Sequence, residues 1–343
     1  MNNHIIIEDV QQFAERFELA EQLRGKTFLI TGATGLIGSV MVKCLLELNR
    51  QKQLDIKIIA VIRNIEKAQQ VFADEYAQID SRQLELSEIT PNSIADSIDY
   101  IMHLASPTAS KYFVEHPVET LRTAIEGTMA VLEYAKKMQV SGVVYASSLE
   151  TYGSNHTDEW LDESFQGYVN PMEVRSSYNM GKRTCECLCH SYAKEYDVNV
   201  IIARLTQTFG AGIAETENRV FAQFARSVIT GMDIVLNTSG TSSKPYCYTT
   251  DAVSAMLYLL LRGNKGEAYN IANKNSYISI RDMARFVRDE FNPNINVVIS
   301  PKENQGYAPE TKLRLNTDKV EALGWMPMYD LKEMFDRLIR SLC

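Results

Sequence analysis

The sequence predicts an α/β fold: a doubly wound parallel sheet with helices on both faces, and a smaller, interleaved α/β domain beside it. Three observations carry this. Short apolar runs alternate with amphipathic helical stretches, a spaced glycine run follows the first apolar run, and the pattern changes after Gly210. Strands alternating with helices need crossover connections, and crossovers make neighbouring strands parallel.

Residues 8–24, rich in Glu, Gln and Leu, read as an amphipathic helix ahead of the first strand. Residues 26–31 form a buried strand, 36–49 a helix, 56–62 a second strand, and another helix starts at Ile65. A strand over 100–104 leads to a helix over 118–138. Strands at 142–147 and 198–203 bracket a long helix, 176–196. Beyond Gly210, helices at 220–230, 251–262 and 280–291 alternate with short strands and polar loops.

Composition narrows the class of function. The 343 residues are 45% apolar and 23% charged, enough to bury a large core. A net charge of −8 without a basic run argues against nucleic acid as partner. No apolar run is long enough for a bilayer, and the start of the chain lacks the pattern of a signal peptide, so a soluble, cytoplasmic protein is expected. Of the six cysteines, Cys185, Cys187 and Cys189 stand close together. Only Cys185 and Cys189 share a helical face, and nothing at zinc-site spacing completes a set, so they read as packing residues and no metal is expected.

The glycine run is Thr31-Gly32-Ala33-Thr34-Gly35-Leu36-Ile37-Gly38. Gly32 permits a tight turn, Gly35 lets backbone approach a pyrophosphate, and Gly38 lets the helix pack on the sheet. The helix N-terminus adds free N–H groups and a positive dipole. This is a dinucleotide loop, with Thr34, Leu36 and Ile37 along it. It implies a Rossmann-like dinucleotide-binding domain over 25–210 and 245–272, a substrate domain over 211–244 and 273–343, and an N-terminal extension over 1–24. At the end of the second strand an acid selects NAD, whereas an arginine accepts the 2′-phosphate of NADP. Here Arg63 stands without an acid, which favours NADP and leaves NAD open; stacking over the adenine is the other role for Arg63.

Tyr178 and Lys182, four apart on the helix over 176–196, share one face. A phenol needs to fall about three pKa units, about 4 kcal/mol, to act as a base at neutral pH. The lysine and an oxidised nicotinamide together are expected to supply that shift. A serine at the carboxyl end of the preceding strand, Ser147 or Ser148, completes the set; Ser148 is placed to steer the proton, and a plain strand-end cap is the competing role.

With His103-Leu104-Ala105-Ser106, these motifs resemble the extended short-chain dehydrogenase/reductase superfamily and, within it, nucleotide-sugar epimerases, dehydratases and decarboxylases. The likeness runs from about residue 25 to 340. It includes Ala203-Arg204-Leu205, Thr208-Phe209-Gly210, the stretch from Tyr246 to Asp251, and Leu323-Gly324-Trp325. The stretches from His103 to Pro107 and from Arg175 to Arg183 are most similar to the UDP-glucuronate decarboxylase branch. The resemblance implies that Leu104, Ala105 and Ser106 touch the dinucleotide and that carbon 4 of the sugar is oxidised. It also implies that Glu150, two residues after the catalytic serine, serves ring-proton chemistry. Leu149 stands where dehydratases place a proton donor, which argues against ordinary 4,6-dehydration. Four substrate-side positions depart from the usual pattern: Ala124 and Gln207 replace asparagine, Ala211 replaces proline, and Lys244 replaces arginine. Arg175, Gln207, Arg219, Lys244 and Arg314 are the candidate substrate anchors. A homodimer through the helices at 118–138 and 176–196 is expected.

Three functions follow. The first is an isomerase or lyase acting on a nucleotide sugar, with the cofactor recycled in place. The second is a net NADPH-dependent reductase of a nucleotide-linked keto sugar or ketose. The third is a non-catalytic NADP-binding sensor, against which the presence of Tyr178, Lys182 and Ser148 counts.

Overall fold

A computed structural model describes residues 4–107, 110–301 and 310–343. Its main sheet has seven strands, all paired in parallel. From one edge to the other they are Asp80–Gln83, Lys57–Ile62, Thr27–Thr31, Tyr100–His103, Gly142–Ser148, Val200–Leu205 and Ala268–Ile271. The chain builds outward from Thr27–Thr31 in one direction, then returns to build in the other. The crevice between the carboxyl ends of Thr27–Thr31 and Tyr100–His103 is therefore where ligands gather in such sheets.

Strand alternation sorts the core. Phe28, Ile30, Ile58, Ala60, Met102, Val144 and Ile201 join one apolar cluster, while Leu29, Ile59, Val61, Ile101, Val143 and Val200 join another on the opposite face. The first cluster is covered by the helices His4–Arg16, Leu36–Lys52 and Thr249–Arg262, the second by Pro117–Met138 and Ser176–Glu195. A third cluster joins Phe209, Phe221, Phe224, Leu236, Tyr246 and Tyr248 to Met283, Phe335 and Leu338. It lies under the helices Val220–Thr230, Ile280–Phe291 and Leu331–Leu342.

Two elements escaped the hydrophobic pattern. The edge strand Asp80–Gln83 is polar throughout and has no fully buried residue. It is an edge strand blunted by charge, with Arg82 bonding Asp80 at 2.7 Å. The helix Ser110–Glu115 has only six residues, too short to show a period. The first helix also starts earlier than its Glu-rich sequence suggests, at His4, and gives way to a short 3₁₀ turn at Ala20–Leu23. No helix among the described residues is long and apolar enough to cross a membrane.

Candidate active site

The crevice is made from glycine and backbone. Gly32 takes φ +69°, and a Cβ on it would lie 2.7 Å from the Cα of Ala105. The loop after Tyr100–His103 therefore rests on this glycine, and only glycine fits there. A Cβ on Gly38 would run into the backbone carbonyl of Gly32. The helix Leu36–Lys52 starts at Gly35, and no side chain caps its first N–H groups. Donors, a positive helix end and no Cβ in the way fit the pyrophosphate of a dinucleotide.

His103 holds the two strand ends together. The Oγ1 of Thr31 accepts the N–H groups of Leu104 and Ala105, each at 3.2 Å, and lies 2.8 Å from His103 Nδ1. With both lone pairs of the hydroxyl used, its hydrogen goes to Nδ1. That assigns the imidazole proton to Nε2, which reaches Thr128 Oγ1 at 3.2 Å. Burial, aided by the nearby Lys182, pushes the imidazole down to about 3, so it stays neutral. Ser106 turns to the carbonyl of Pro107 at 3.1 Å. Arg63 is exposed just past Lys57–Ile62; its carbonyl takes a bond from Gln83, and its guanidinium has no hydrogen-bond partner among the described residues.

The candidate reactive side chains meet at the carboxyl end of Gly142–Ser148. The two serines there separate cleanly. Ser147 is buried and donates at 2.5 Å to Glu186, itself paired with Arg204 at 2.8 Å, so it belongs to the scaffold. Ser148 lies near enough to the phenol of Tyr178 to pull its pKa down against burial, and its Oγ accepts the N–H of Glu150 at 3.2 Å. Lys182 lies 5.8 Å from the centre of the Tyr178 ring and donates to the carbonyl of Ala146 at 2.7 Å. Burial lowers the lysine to about 8.

The side chains alone do not bring the phenol down towards neutral pH. Burial, reinforced by the negative charge of Glu150, pushes Tyr178 well above its usual value, against the lowering effect of Ser148, Arg219 and Arg175. Removing a phenolate from water outweighs the cations present.

Around the phenol lies a ring of charge. Arg175 grips Glu150 with two bonds, 3.1 and 3.3 Å, and Asn179 donates to the Glu150 carbonyl at 2.8 Å. Arg219 is held by Glu217 at 2.6 and 3.0 Å. Lys244 has no hydrogen-bond partner among the described residues and is lowered by burial, opposed by Glu150 and reinforced by Arg175 and Arg219. Thus Ser148, Glu150, Arg175, Tyr178, Lys182, Arg219 and Lys244 act on one another in one place. Gln207 opens the strand Gln207–Phe209 beside Tyr246. Arg314 lies in a different cluster, 4.2 Å over the Trp160 ring and 5.5 Å from that of Tyr277.

Sequence reasoning missed Phe113, whose ring stacks on Tyr178 with centroids 4.3 Å apart and planes at 10°. No periodic signal marks it. Leu149, in contrast, turns into an apolar cluster with Tyr152, Leu161 and Leu315 and presents nothing that ionises. The cysteine run behaves as packing: Cys185 and Cys189 are buried, Cys187 is exposed. No group placed to hold a metal occurs among the described residues.

Known proteins resemble this chain in sequence and in fold. A family model, the NAD dependent epimerase/dehydratase family, matches residues 28–272. UDP-glucuronic acid decarboxylase 3 of Arabidopsis thaliana is 28% identical over 305 residues, 89% of this chain and 85% of its own. Among solved structures, the UDP-N-acetylglucosamine 4-epimerase of Methanobrevibacter ruminantium, in complex with UDP-N-acetylmuramic acid, has a TM-score of 0.80 at 18% identity. That alignment covers 93% of this chain and 98% of the other. The dTDP-glucose 4,6-dehydratase of Bacillus anthracis in complex with NAD has a TM-score of 0.75 at 19% identity, covering 92% and 96%. At these identities the structural likeness speaks for the fold.

Proposed function

The chain belongs to the NAD-dependent epimerase/dehydratase family and is an enzyme of that type; from that premise we propose that it oxidises carbon 4 of a nucleotide-linked uronic acid, decarboxylates it, and recycles its cofactor in place. The observation that supports this most is the meeting of Tyr178, Lys182 and Ser148 at the sheet's carboxyl edge, next to a glycine cradle that no Cβ obstructs. The dinucleotide, when bound in its oxidised form, supplies the hydride acceptor and a positive charge beside the phenol.

The chain's own groups do the rest. Ser148 orients the sugar hydroxyl, and Tyr178 takes its proton as the carbon–hydrogen bond gives up its electron pair. Lys182, fixed by the Ala146 carbonyl, keeps an ammonium near the phenolate and favours its charged form. Lys244 and Arg219 face the nucleotide diphosphate, and Arg175 faces the sugar carboxylate.

Decarboxylation is favoured over dehydration by what is missing. Elimination needs an acid for the departing hydroxyl, and Leu149 is buried away from the site. A 4-keto uronate is a β-keto acid: the carbon 5–carbon 6 bond breaks, its electrons pass into the ketone oxygen, and carbon dioxide leaves without a side-chain acid. Glu150, a carboxylate tied to Arg175, is proposed to orient the water that returns a proton to carbon 5. The bare guanidinium of Arg63 supports NADP as the preferred dinucleotide, and the same arginine supports a second reading, net reduction of a nucleotide-linked keto sugar with NADPH. The chain is further proposed to act as a homodimer.

Mass spectrometry of the products from UDP-glucuronate, with nicotinamide absorbance followed in parallel, tests this. Loss of carbon dioxide with no net absorbance change is expected. Stoichiometric consumption of reduced cofactor with a keto sugar instead would establish the reductase. Loss of water, or unchanged mass with an inverted centre, would replace decarboxylation by dehydration or epimerisation.

A further inference from the structure

We propose that the helix His4–Arg16, acting through Asp9, is a positioning element that holds the segment carrying Arg219 at the substrate side of the site. This rests on reading Arg219 as a substrate cation. The helix precedes the span matched by the family model, 28–272. Its buried face carries Ile5, Asp9, Val10, Phe13 and Ala14, so a carboxylate sits in the middle of an apolar stripe.

That carboxylate is fully engaged. The phenol of Tyr248 donates to one oxygen at 2.6 Å and the guanidinium of Arg337 to the other at 2.5 Å. The oxygen of Tyr248 in turn accepts the N–H of Ala211 at 3.3 Å. A proline at 211 would have no N–H to give, so this link exists because the chain carries alanine there. One residue on, Gly212 takes φ +88°, and a Cβ on it would lie 2.8 Å from the side chain of Ile6. Both contacts fall on the stretch between the strand Gln207–Phe209 and Arg219, the N-cap of the helix Val220–Thr230. The charge of Arg219 acts on Tyr178 and Lys244.

The same helix also grips its other neighbours. Gln12 accepts bonds from Tyr329 and Arg337 at 3.0 and 3.1 Å. The carbonyls of Gln11 and of Phe17, the residue just past the helix, accept bonds from Gln51 and Lys52, at the end of the helix that starts at the glycine cradle. One element therefore spans from the cofactor-side helix to the segment that delivers a substrate cation. Breaking its buried network leaves a carboxylate or phenol without its partners, and the segment it restrains gains freedom.

Hydrogen exchange of the full chain tests this without knowledge of the substrate. In Tyr248→Phe and Ala211→Pro, exchange across 211–219 should accelerate about tenfold or more, while the peptide over 32–38 keeps its parent rate. Ala211→Ser, which retains the N–H, should behave as the parent. Titrated calorimetrically, the two breaking variants should bind uridine diphosphate about tenfold more weakly and NADP within about twofold of the parent. Unchanged exchange at 211–219, or equal acceleration at 32–38, overturns the proposal, the second outcome showing only a less stable protein. If the parent chain does not bind uridine diphosphate, the nucleotide reading falls and the brace is still judged by the exchange pattern.

Discussion

The dinucleotide crevice and the charged ring beyond it are built from different materials. The crevice is backbone: glycines that exclude a Cβ, a helix end, and a neutral histidine clamped between two threonines. Little in it can move or titrate. The charged ring is long side chains, with Arg175 paired to Glu150 and Arg219 to Glu217 while Lys244 has no such partner among the described residues. A backbone cradle suits a constant group such as a pyrophosphate. Paired side chains can exchange partners, which suits a site where charge changes during reaction. Local sequence writes the glycine turn of the first, although Thr31 meets His103 72 positions on, whereas the second draws Glu150, Arg175, Arg219 and Lys244 from four separate stretches.

The largest expected effect lies where the two regions meet. Tyr178→Phe removes the proposed proton acceptor and should lower kcat by about 10³-fold while leaving dinucleotide affinity within about twofold. A rate close to the parent's would take the base assignment away from Tyr178. Next, Gly38→Ala attacks the crevice alone. Its Cβ meets backbone that cannot yield, so dinucleotide affinity should fall about a hundredfold, read by fluorescence titration, with uridine diphosphate binding largely kept. If both ligands suffer equally, the two regions are less separate than described.

A smaller effect is expected at Arg63, the crevice residue proposed to act by charge. Arg63→Ala should weaken NADP about tenfold and leave NAD nearly unchanged. Equal loss for both would assign the guanidinium to adenine stacking. The smallest effect on activity, though not on stability, concerns Asp251. Burial raises it to about 7, with the charges of Asp9 and Glu333 adding to the rise and backbone N–H groups of Met328 and Tyr329 opposing it. Its folded pKa is above its unfolded one, so its contribution to stability is full below about pH 4 and is lost as pH rises through about 7. Asp251→Asn should therefore flatten the fall in Tm between pH 5 and 7.5 (roughly the window between those values) relative to the parent. Parallel Tm curves for the two proteins would show that Asp251 is ionised throughout.

Much of this molecule can be read from the chain alone, and the exceptions share a cause. The helices at Val220–Thr230 and Ile280–Phe291 fall where the periodicity puts them, because an apolar stripe against one core writes its own period. Ser147 and Ser148 are adjacent and identical in sequence; only the pleat, which turns one towards Glu186 and the other towards Tyr178, tells them apart. Phe113 on a six-residue helix and Asp80–Gln83 on a charged edge leave no periodic trace.

By itself the sequence determined what depends on residues near one another: a strand, a glycine turn, a helix, and a tyrosine and lysine on one face. Tertiary structure decided which charges are paired and how far a phenol is buried, hence the upward push that its own surroundings give Tyr178. It also decided that Asp9 closes on Tyr248 and Arg337, 239 and 328 positions away. Desolvation and Coulomb energy depend on distance in space, and no local pattern encodes the distance between residues that meet only when the chain folds.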